Sequence, residues 1–443
     1  MALRRKIQDN DPLYSFLRYY VDLALKLSYR SIKYVGRERL PHDGAVIFAP
    51  NHTNALMDAL VILALDRRPK VFVARADIFR NPTLAKILTF LKIMPIMRMR
   101  DGIDEVRKNN ETIERAVDVL RDKVPFCIFP EGTHQAKYST LPLSKGIFRI
   151  AFQAQERMPD MPLYIVPVGL RYGNFFRFRS TVRVEIGEAI NVGEFVTKHS
   201  ALSAPEQMNL LKDMLDERMK RQIFFIENDD NYDAVYEICA VVARMQLSHL
   251  RHDEELSKLR ALDAQFAVNN MTVKHIAYIR ENNAELYSEL MALGHRASKL
   301  RHEHKISLSS VVVRHSAFMY VVRLLIFLLM LPYSLPAMVL TLPIVGLCQA
   351  VFTKLKDYAF RNSVRYFINL VVWPLLMIIY SVIAYILLPW QWALPVTLAT
   401  LPAPIVAHET YRLIRILKSD IKLMQNKELR TCYSKIREII FSK

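Results

Sequence analysis

Two residues in the segment APNHTNALMD, His52 and Asp58, have side chains that could act together as a base and its carboxylate partner. A carboxylate near an imidazole can fix its tautomer and raise its basicity. The apolar run before His52 predicts a buried strand, and the helix formers after it predict a helix that contains Asp58. His52 would then lie at a strand-to-helix corner, where it could meet a substrate. Taken alone, the pattern fits equally well a helix-capping Asn51 beside a surface histidine.

Three further clusters follow in the chain. They are an apolar run that ends in Arg98 and Arg100, the turn Glu131-Gly132-Thr133 with Lys145 after it, and a buried run around Pro167. Guanidinium groups make paired hydrogen bonds that suit a phosphate. The chain contains no G-x-S-x-G nucleophile elbow. His52 could instead deprotonate a hydroxyl that attacks an activated acyl group directly, which needs no enzyme nucleophile.

The elements that must position these side chains alternate between short apolar runs and helical stretches over residues 36–200. This alternation predicts an α/β domain with a mixed or largely parallel sheet flanked by helices. Functional groups in such a domain collect at the carboxyl ends of the strands, where the polar clusters fall.

The rest of the chain predicts four further regions. Residues 1–35 fit an amphipathic helix that lies on a membrane or packs on the next domain. Residues 201–312 are polar and helical, and they predict a helical subdomain without a catalytic cluster. Residues 313–410 contain two nearly uncharged stretches that predict transmembrane hairpins, the first within 317–351 and the second turning near Pro389. Residues 411–443 form a basic tail, and basic flanks of this kind favour a cytoplasmic catalytic domain.

The composition agrees with an integral membrane protein that meets anionic partners. The 443 residues are 52% hydrophobic, yet the chain has a net charge of +18. Basic surfaces attract lipid headgroups, phosphorylated substrates or nucleic acid. Nucleic acid is the weakest of these, because the basic residues flank apolar segments and are not interleaved with aromatics on one module. The four cysteines have no metal or redox spacing, which favours a reduced setting.

Taken together and in order, the motifs NHxxxxxD, an apolar run ending in arginine, FPEGT and VPV resemble the glycerolipid acyltransferases. This family contains glycerol-3-phosphate and 1-acylglycerol-3-phosphate acyltransferases. The resemblance covers about residues 30–195. It implies a membrane-bound enzyme that moves a fatty acyl group from acyl-CoA or acyl carrier protein to a glycerol-phosphate acceptor, with membrane lipids as partners and no further cofactor.

The resemblance also implies a role for each matched residue. His52 would be the general base and Asp58 its partner, while Arg98 and Arg100 would bind the acceptor phosphate. The residues implied to shape the acceptor site are Glu131, Gly132 and Thr133. Pro167 would support the pocket, and charge alone suggests Lys145 as an extra phosphate contact.

The sequence departs from the family pattern in three places. Five residues separate His52 from Asp58 where four are usual, and the longer form resembles glycerol-3-phosphate and dihydroxyacetone-phosphate acyltransferases. Neither spacing puts both groups on one face of an ideal helix, so the corner must supply the geometry. Met94 stands near the place of a usual glycine, and His134-Gln135 follow FPEGT where arginine or Ser-His is common.

Two other functions fit parts of the pattern. One is a scaffold or lipid-binding protein built on an acyltransferase domain that has lost its catalytic activity. The presence of both His52 and Asp58 argues against such a loss. A metal site built from His52, Asp58, Glu131 and His134 is the other. We expect no metal, because no pair of these residues has the tight helical spacing of zinc motifs.

Overall fold

The computed structural model of the chain describes residues 6–96, 109–250, 259, 261–312, 317–355 and 357–442. Within these residues the chain forms two compact units. The first takes the chain up to Ile223 together with Lys354–Leu370, and the second takes Phe224–Thr353 and the chain from Val371 onward.

The first unit is built on a sheet with eight strands in the described residues. They are β1 Tyr29–Val35, β2 Ala45–Pro50, β3 Val71–Arg75, β4 Ile93–Ile96, β5 Phe126–Cys127, β6 Leu163–Tyr172, β7 Ser180–Ile186 and β8 Ile190–Asn191. Their order is β1-β7-β6-β2-β5-β3-β4, with β8 also on β6. Only β7 and β8 pair antiparallel to β6, and the other described pairs are parallel. The predicted mixed, largely parallel sheet is therefore confirmed.

Helices cover both faces of this sheet. They are α1 Pro12–Ser28, α2 Leu56–Leu63, α3 Pro82–Phe90, α4 Asn109–Arg121, α5 Gly146–Arg157, α6 Val192–Lys198 and α7 Ala204–Gln222. Strand β2 shows why two layers are needed, because its residues alternate between two buried cores. Ala45, Ile47 and Ala49 pack with α4, α5 and α7, whereas Val46 and Phe48 pack with α2. A strand buried on both faces reads as a continuous apolar run.

The N-terminal helix is shorter than the pattern predicted. Helix α1 ends at Ser28, and Tyr29–Val35 continue as strand β1, which pairs parallel with β7. The sequence YRSIKYV contains aromatic and β-branched residues that favour strands, and pairing with β7 decides the outcome. Along α1, apolar side chains are exposed on one face: Leu13, Phe16, Leu23 and Leu27.

From residue 232 onward the described chain is helical. The helices are α8 Tyr232–Leu250, α9 Ala261–Asn282, α10 Ala284–Glu303, α11 Leu308–Val312, α12 Ala317–Phe352, α13 Phe360–Leu387, α14 Trp390–Thr400, α15 Ala403–Gln425 and α16 Lys427–Phe441. In the second unit, buried Arg301 of α10 donates to Glu237 of α8 at 2.6 Å, and Tyr433 of α16 donates to the same carboxylate at 2.7 Å. This network ties three helices together.

Among the described residues, two helices are long and apolar enough to cross a bilayer, by length and composition. They are Phe318–Phe352 and Phe360–Leu387, which contain 18-residue stretches with mean hydropathies of 2.1 and 2.4. The hairpin predicted within 317–351 is not formed, because α12 continues through Pro332, Pro336 and Pro343. A proline removes one hydrogen bond and bends a helix, but the remaining bonds can carry it on. The break predicted near Pro389 does occur, between α13 and α14.

Candidate active site

The five residues between β2 and α2 form a tight corner that is fixed to the neighbouring strand. The buried side chain of Asn51 accepts a hydrogen bond from the Leu170 amide at 2.6 Å and donates to the Leu170 carbonyl at 3.2 Å. Ala55, directly before α2, has φ +46°, which is uncommon for a residue with a side chain. The corner is therefore held by β6 on one side and bent sharply at Ala55 on the other.

This corner brings His52 and Asp58 into contact. His52 Nδ1 lies 2.8 Å from Asp58 Oδ2, and the Asp58 side chain is completely buried. The backbone amides of Thr53 and Asn54 each donate to the same oxygen at 2.7 Å. Because a carboxylate accepts from all three, Nδ1 of His52 is the protonated nitrogen and Nε2 has a free lone pair. The five-residue spacing thus forms a pair, since His52 precedes the helix.

Tyr172 completes the surroundings of Asp58, although no motif in the sequence singles it out. Its hydroxyl donates to Asp58 Oδ1 at 2.7 Å from the end of β6. Burial, and then the charge of Asp58, raise the pKa of Tyr172 well above its usual value, so it remains a donor. The apolar run around Pro167 predicted a strand, but β6 extends to Tyr172, and only the pairing of β6 with β2 brings Tyr172 to Asp58.

Glu131, in the turn that follows the neighbouring strand β5, supports the corner. Its side chain is buried, and Oε2 accepts a hydrogen bond from the His52 amide at 3.3 Å. Burial raises the pKa of Glu131 to about 8, although the backbone amides of His52 and Leu141 act against this. Oε1 is buried and makes no hydrogen bond within the described residues. Glu131 is therefore mostly a neutral carboxylic acid at pH 7 that holds the backbone of His52.

The other predicted site residues either are exposed at the surface or lie outside the residues that the structure describes. Gly132, Thr133 and Lys145 are exposed, and no described hydrogen bond joins them to His52. Gly132 has φ +66°, which suits glycine, and its amide closes a turn on the Phe129 carbonyl at 3.1 Å. Arg98 and Arg100 lie outside the described residues. Their predicted roles, and those of the three exposed residues, stay predictions.

Aromatic rings enclose the imidazole of His52, whose side chain keeps 17% of its surface exposed. Phe129 stacks on it with the ring centres 4.2 Å apart, and His134 meets it edge-on at 5.3 Å. His134 is itself bound to Asp357. No group of three or more His, Cys, Asp or Glu side chains suited to a metal ion occurs among residues the structure describes. The arrangement supplies a base whose reactive nitrogen stays accessible.

Replacement of Glu131 by glutamine tests its buried, protonated state. The folded chain retains a proton that the unfolded chain releases above its ordinary pKa of 4.5. The contribution of Glu131 to stability is therefore greatest at low pH and falls as pH rises from 4.5 to about 8. Glutamine cannot titrate. As the pH rises from about 5 to about 8, the free energy of unfolding of E131Q should therefore increase relative to that of wild type by on the order of 4 kcal/mol.

Urea unfolding at several pH values measures this difference. The exposed Glu188 provides the matched control, and E188Q should follow wild type across the range. Parallel pH profiles for E131Q and wild type would show that Glu131 is ionised in the folded chain.

Comparisons with known proteins match the part of the chain that contains this site. Residues 31–171 match the family model named Acyltransferase. This segment contains β2, β5 and both members of the His52–Asp58 pair.

Several curated relatives share this region. Glycerol-3-phosphate O-acyltransferase 2 of Saccharomyces cerevisiae is 25% identical over 299 residues, which is 63% of this chain and 38% of the relative. The 1-acyl-sn-glycerol-3-phosphate acyltransferase of Borreliella burgdorferi is 26% identical over 148 residues, covering 33% of this chain and 57% of the relative. Both matches thus leave a large part of the relative uncovered.

A solved structure is also similar, the 1-acyl-sn-glycerophosphate (LPA) acyltransferase PlsC of Thermotoga maritima. It is 20% identical, with a TM-score of 0.34, over 48% of this chain and 81% of that chain. The family model and the curated relatives confirm the resemblance that the four motifs predicted. Residues 31–171 thus match the Acyltransferase family model, and the chain is similar to relatives named glycerol-3-phosphate O-acyltransferase and 1-acyl-sn-glycerol-3-phosphate acyltransferase.

Proposed function

We propose that this chain is a membrane-bound O-acyltransferase of glycerophospholipid synthesis, with glycerol-3-phosphate as its acceptor. The observation that carries the proposal is the contact of His52 Nδ1 with the buried carboxylate of Asp58 at 2.8 Å. This contact leaves Nε2 of an accessible imidazole as a base, which is what transfer to a hydroxyl requires.

The reaction follows from this base. His52 Nε2 takes the proton of the acceptor hydroxyl as the oxygen attacks the thioester carbonyl of the acyl donor. The tetrahedral intermediate collapses, the carbon–sulfur bond breaks, and the leaving thiolate takes the proton from His52. Asp58 stabilises the imidazolium between these steps and holds the ring in one tautomer. The donor is acyl-CoA or acyl carrier protein, both of which carry the acyl group as a thioester.

The acceptor phosphate needs cationic side chains to hold it. We assign this role to Arg98 and Arg100, with Lys145 as an additional contact. Thr133 and the turn at Gly132 would shape the pocket for the glycerol. A phosphate fixed in this way orients the hydroxyl toward His52 and lowers the entropic barrier to reaction.

The choice of glycerol-3-phosphate rests on the extent of similarity. The yeast relative named for this acceptor aligns with 63% of the chain, well beyond residues 31–171. The bacterial relative named for the 1-acyl acceptor aligns with 33%. The five-residue spacing between His52 and Asp58 points the same way.

The membrane assignment rests on helices α12 and α13. Each is long enough to cross a bilayer, and most of its apolar side chains are exposed. The segment between them is rich in lysine and arginine, which favours the cytoplasmic side for it, and it belongs to the same unit as the catalytic domain. The catalytic domain would then face the cytoplasm.

Acyl transfer by membranes that carry the expressed chain tests this function. Labelled acyl-CoA or acyl carrier protein is offered with glycerol-3-phosphate or with its 1-acyl derivative. We expect lysophosphatidate from glycerol-3-phosphate, lost by at least a thousandfold in H52A because the base is absent. The exposed His42 gives the control H42A, which should keep wild-type activity.

The other outcomes each contradict part of the proposal. Product from the 1-acyl acceptor alone would overturn the choice of acceptor. Full activity in H52A would remove His52 as the base, and no transfer with either acceptor or donor would favour the scaffold alternative.

Replacement of Tyr172 by phenylalanine tests the fourth hydrogen bond to Asp58. A bond to a charged group contributes roughly 1.5 kcal/mol or more, so kcat should fall about tenfold or more while KM is unchanged. Tyr164, at the other end of β6, bonds the exposed Asp43, and Y164F is the matched control. Equal kcat values for Y172F and Y164F would show that the bond from Tyr172 has no part in catalysis.

A further inference from the structure

A second histidine–aspartate pair lies directly against the first. His134 Nε2 is 2.8 Å from Asp357 Oδ2, and the His134 ring meets the His52 ring edge-on with centres 5.3 Å apart. Asp357 lies between α12 and α13, far beyond residues 31–171. Both pairs belong to the first unit. A residue from the segment between the two long apolar helices therefore contacts the neighbour of the proposed base.

We infer that Asp357 and His134 form a positioning pair for His52, so that the segment between α12 and α13 is part of the active site. The inference rests on the proposed function for its kinetic readout. Its structural content, the control of the orientation of His52, does not depend on which acceptor is used.

The His52 ring needs more than Asp58 to fix it. A hydrogen bond at Nδ1 holds that atom but leaves the ring free to tilt about the bond. Phe129 covers one face of the ring, with the ring centres 4.2 Å apart and the ring planes at 22°. The His134 ring is nearly perpendicular to the His52 ring, with an angle of 76° between the planes. Together these contacts restrict the tilt and set the direction in which Nε2 points. Small errors in such a direction slow proton transfer considerably.

His134 can do this because it is itself held. Asp357 binds Nε2, and Phe360 packs edge-on against the ring with centres 5.4 Å apart. Asp357 Oδ1 accepts a hydrogen bond from the Ala359 amide at 2.9 Å. Although partial burial acts against it, this amide together with His134 lowers the pKa of Asp357. Each oxygen of the carboxylate thus has a partner of its own.

The segment that carries Asp357 is anchored in the first unit. Tyr358 packs edge-on against Phe176 with centres 5.0 Å apart, and Arg365 donates to the Phe176 carbonyl at 3.1 Å. Asn362 donates to the hydroxyl of Tyr29 at 3.4 Å. Because Phe176 follows β6 and Tyr29 begins β1, the segment is tied to the same sheet that holds His52.

A role in stability alone is a poor explanation for the pair. The Asp357 side chain is 51% exposed, and exposed ion pairs contribute little to folding. Asp357 variants should therefore fold, so their kinetics can report on positioning.

Four variants separate positioning from packing. D357A removes the anchor and should lower kcat about tenfold with KM unchanged. D357N can still accept a hydrogen bond from His134 and should stay within about threefold of wild type. H134F keeps an aromatic edge but cannot bind Asp357, so it should match D357A. The double variant H134F/D357A should fall no further than either single variant, as expected for one unit.

The exposed Asp160 provides the control D160N, which should keep wild-type kcat. Wild-type kcat in both D357A and H134F would overturn the inference. Wild-type kcat in H134F alone would also overturn it, because aromatic packing against His52 would then be enough to orient the ring without a bond to Asp357.

A second measurement needs no acyl transfer. Diethyl pyrocarbonate modifies accessible imidazoles, and mass spectrometry of the peptide that contains His52 gives the rate at that residue. D357A should raise this rate several-fold over wild type and D160N, because the His52 ring would gain freedom. An unchanged rate would overturn the inference. A wild-type chain that transfers no acyl group would contradict the proposed function alone, since this rate still decides the positioning role.

Discussion

The Asp58 carboxylate is completely buried, and a charge removed from water in this way costs several kcal/mol unless hydrogen bonds compensate it. Four donors do so: the amides of Thr53 and Asn54, the imidazole of His52 and the hydroxyl of Tyr172. The corner before α2 supplies three of these donors and β6 supplies the fourth. The conformation of the corner depends on Asp58, because the Asp58 carboxylate accepts hydrogen bonds from the backbone amides of Thr53 and Asn54.

The parallel strands explain why residues distant in sequence meet at this point. Strand β2 lies between β5 and β6 and runs parallel to both. Its carboxyl end therefore lies beside Glu131, which follows β5, and Tyr172, which ends β6. Glu131 holds the backbone of His52 and Tyr172 holds its carboxylate partner. The sheet thus determines the site geometry, and a short turn provides the reactive group.

The sequence could predict those features whose cause is local. His52, Asp58 and Glu131 fall in compact motifs, and the strands around them are continuous apolar runs. Tyr172 and Asp357 were missed because only strand pairing and the fold of residues 354–370 bring them to His52 or its partner. The pattern of residues 29–35 predicts a helix, but pairing with β7 makes this segment strand β1. Arg98 and Arg100 remain predictions that rest on the motif.

The measurement that tests the central claim most directly is the kcat of D58N. Asparagine keeps the size of the side chain and can place its carbonyl oxygen where Oδ2 accepts its three hydrogen bonds, but it removes the negative charge that stabilises the imidazolium of His52. If the buried carboxylate is what makes His52 a base, D58N should fold like wild type and lose about a thousandfold or more in kcat, with KM little changed. A kcat within about threefold of wild type in folded D58N would contradict this account.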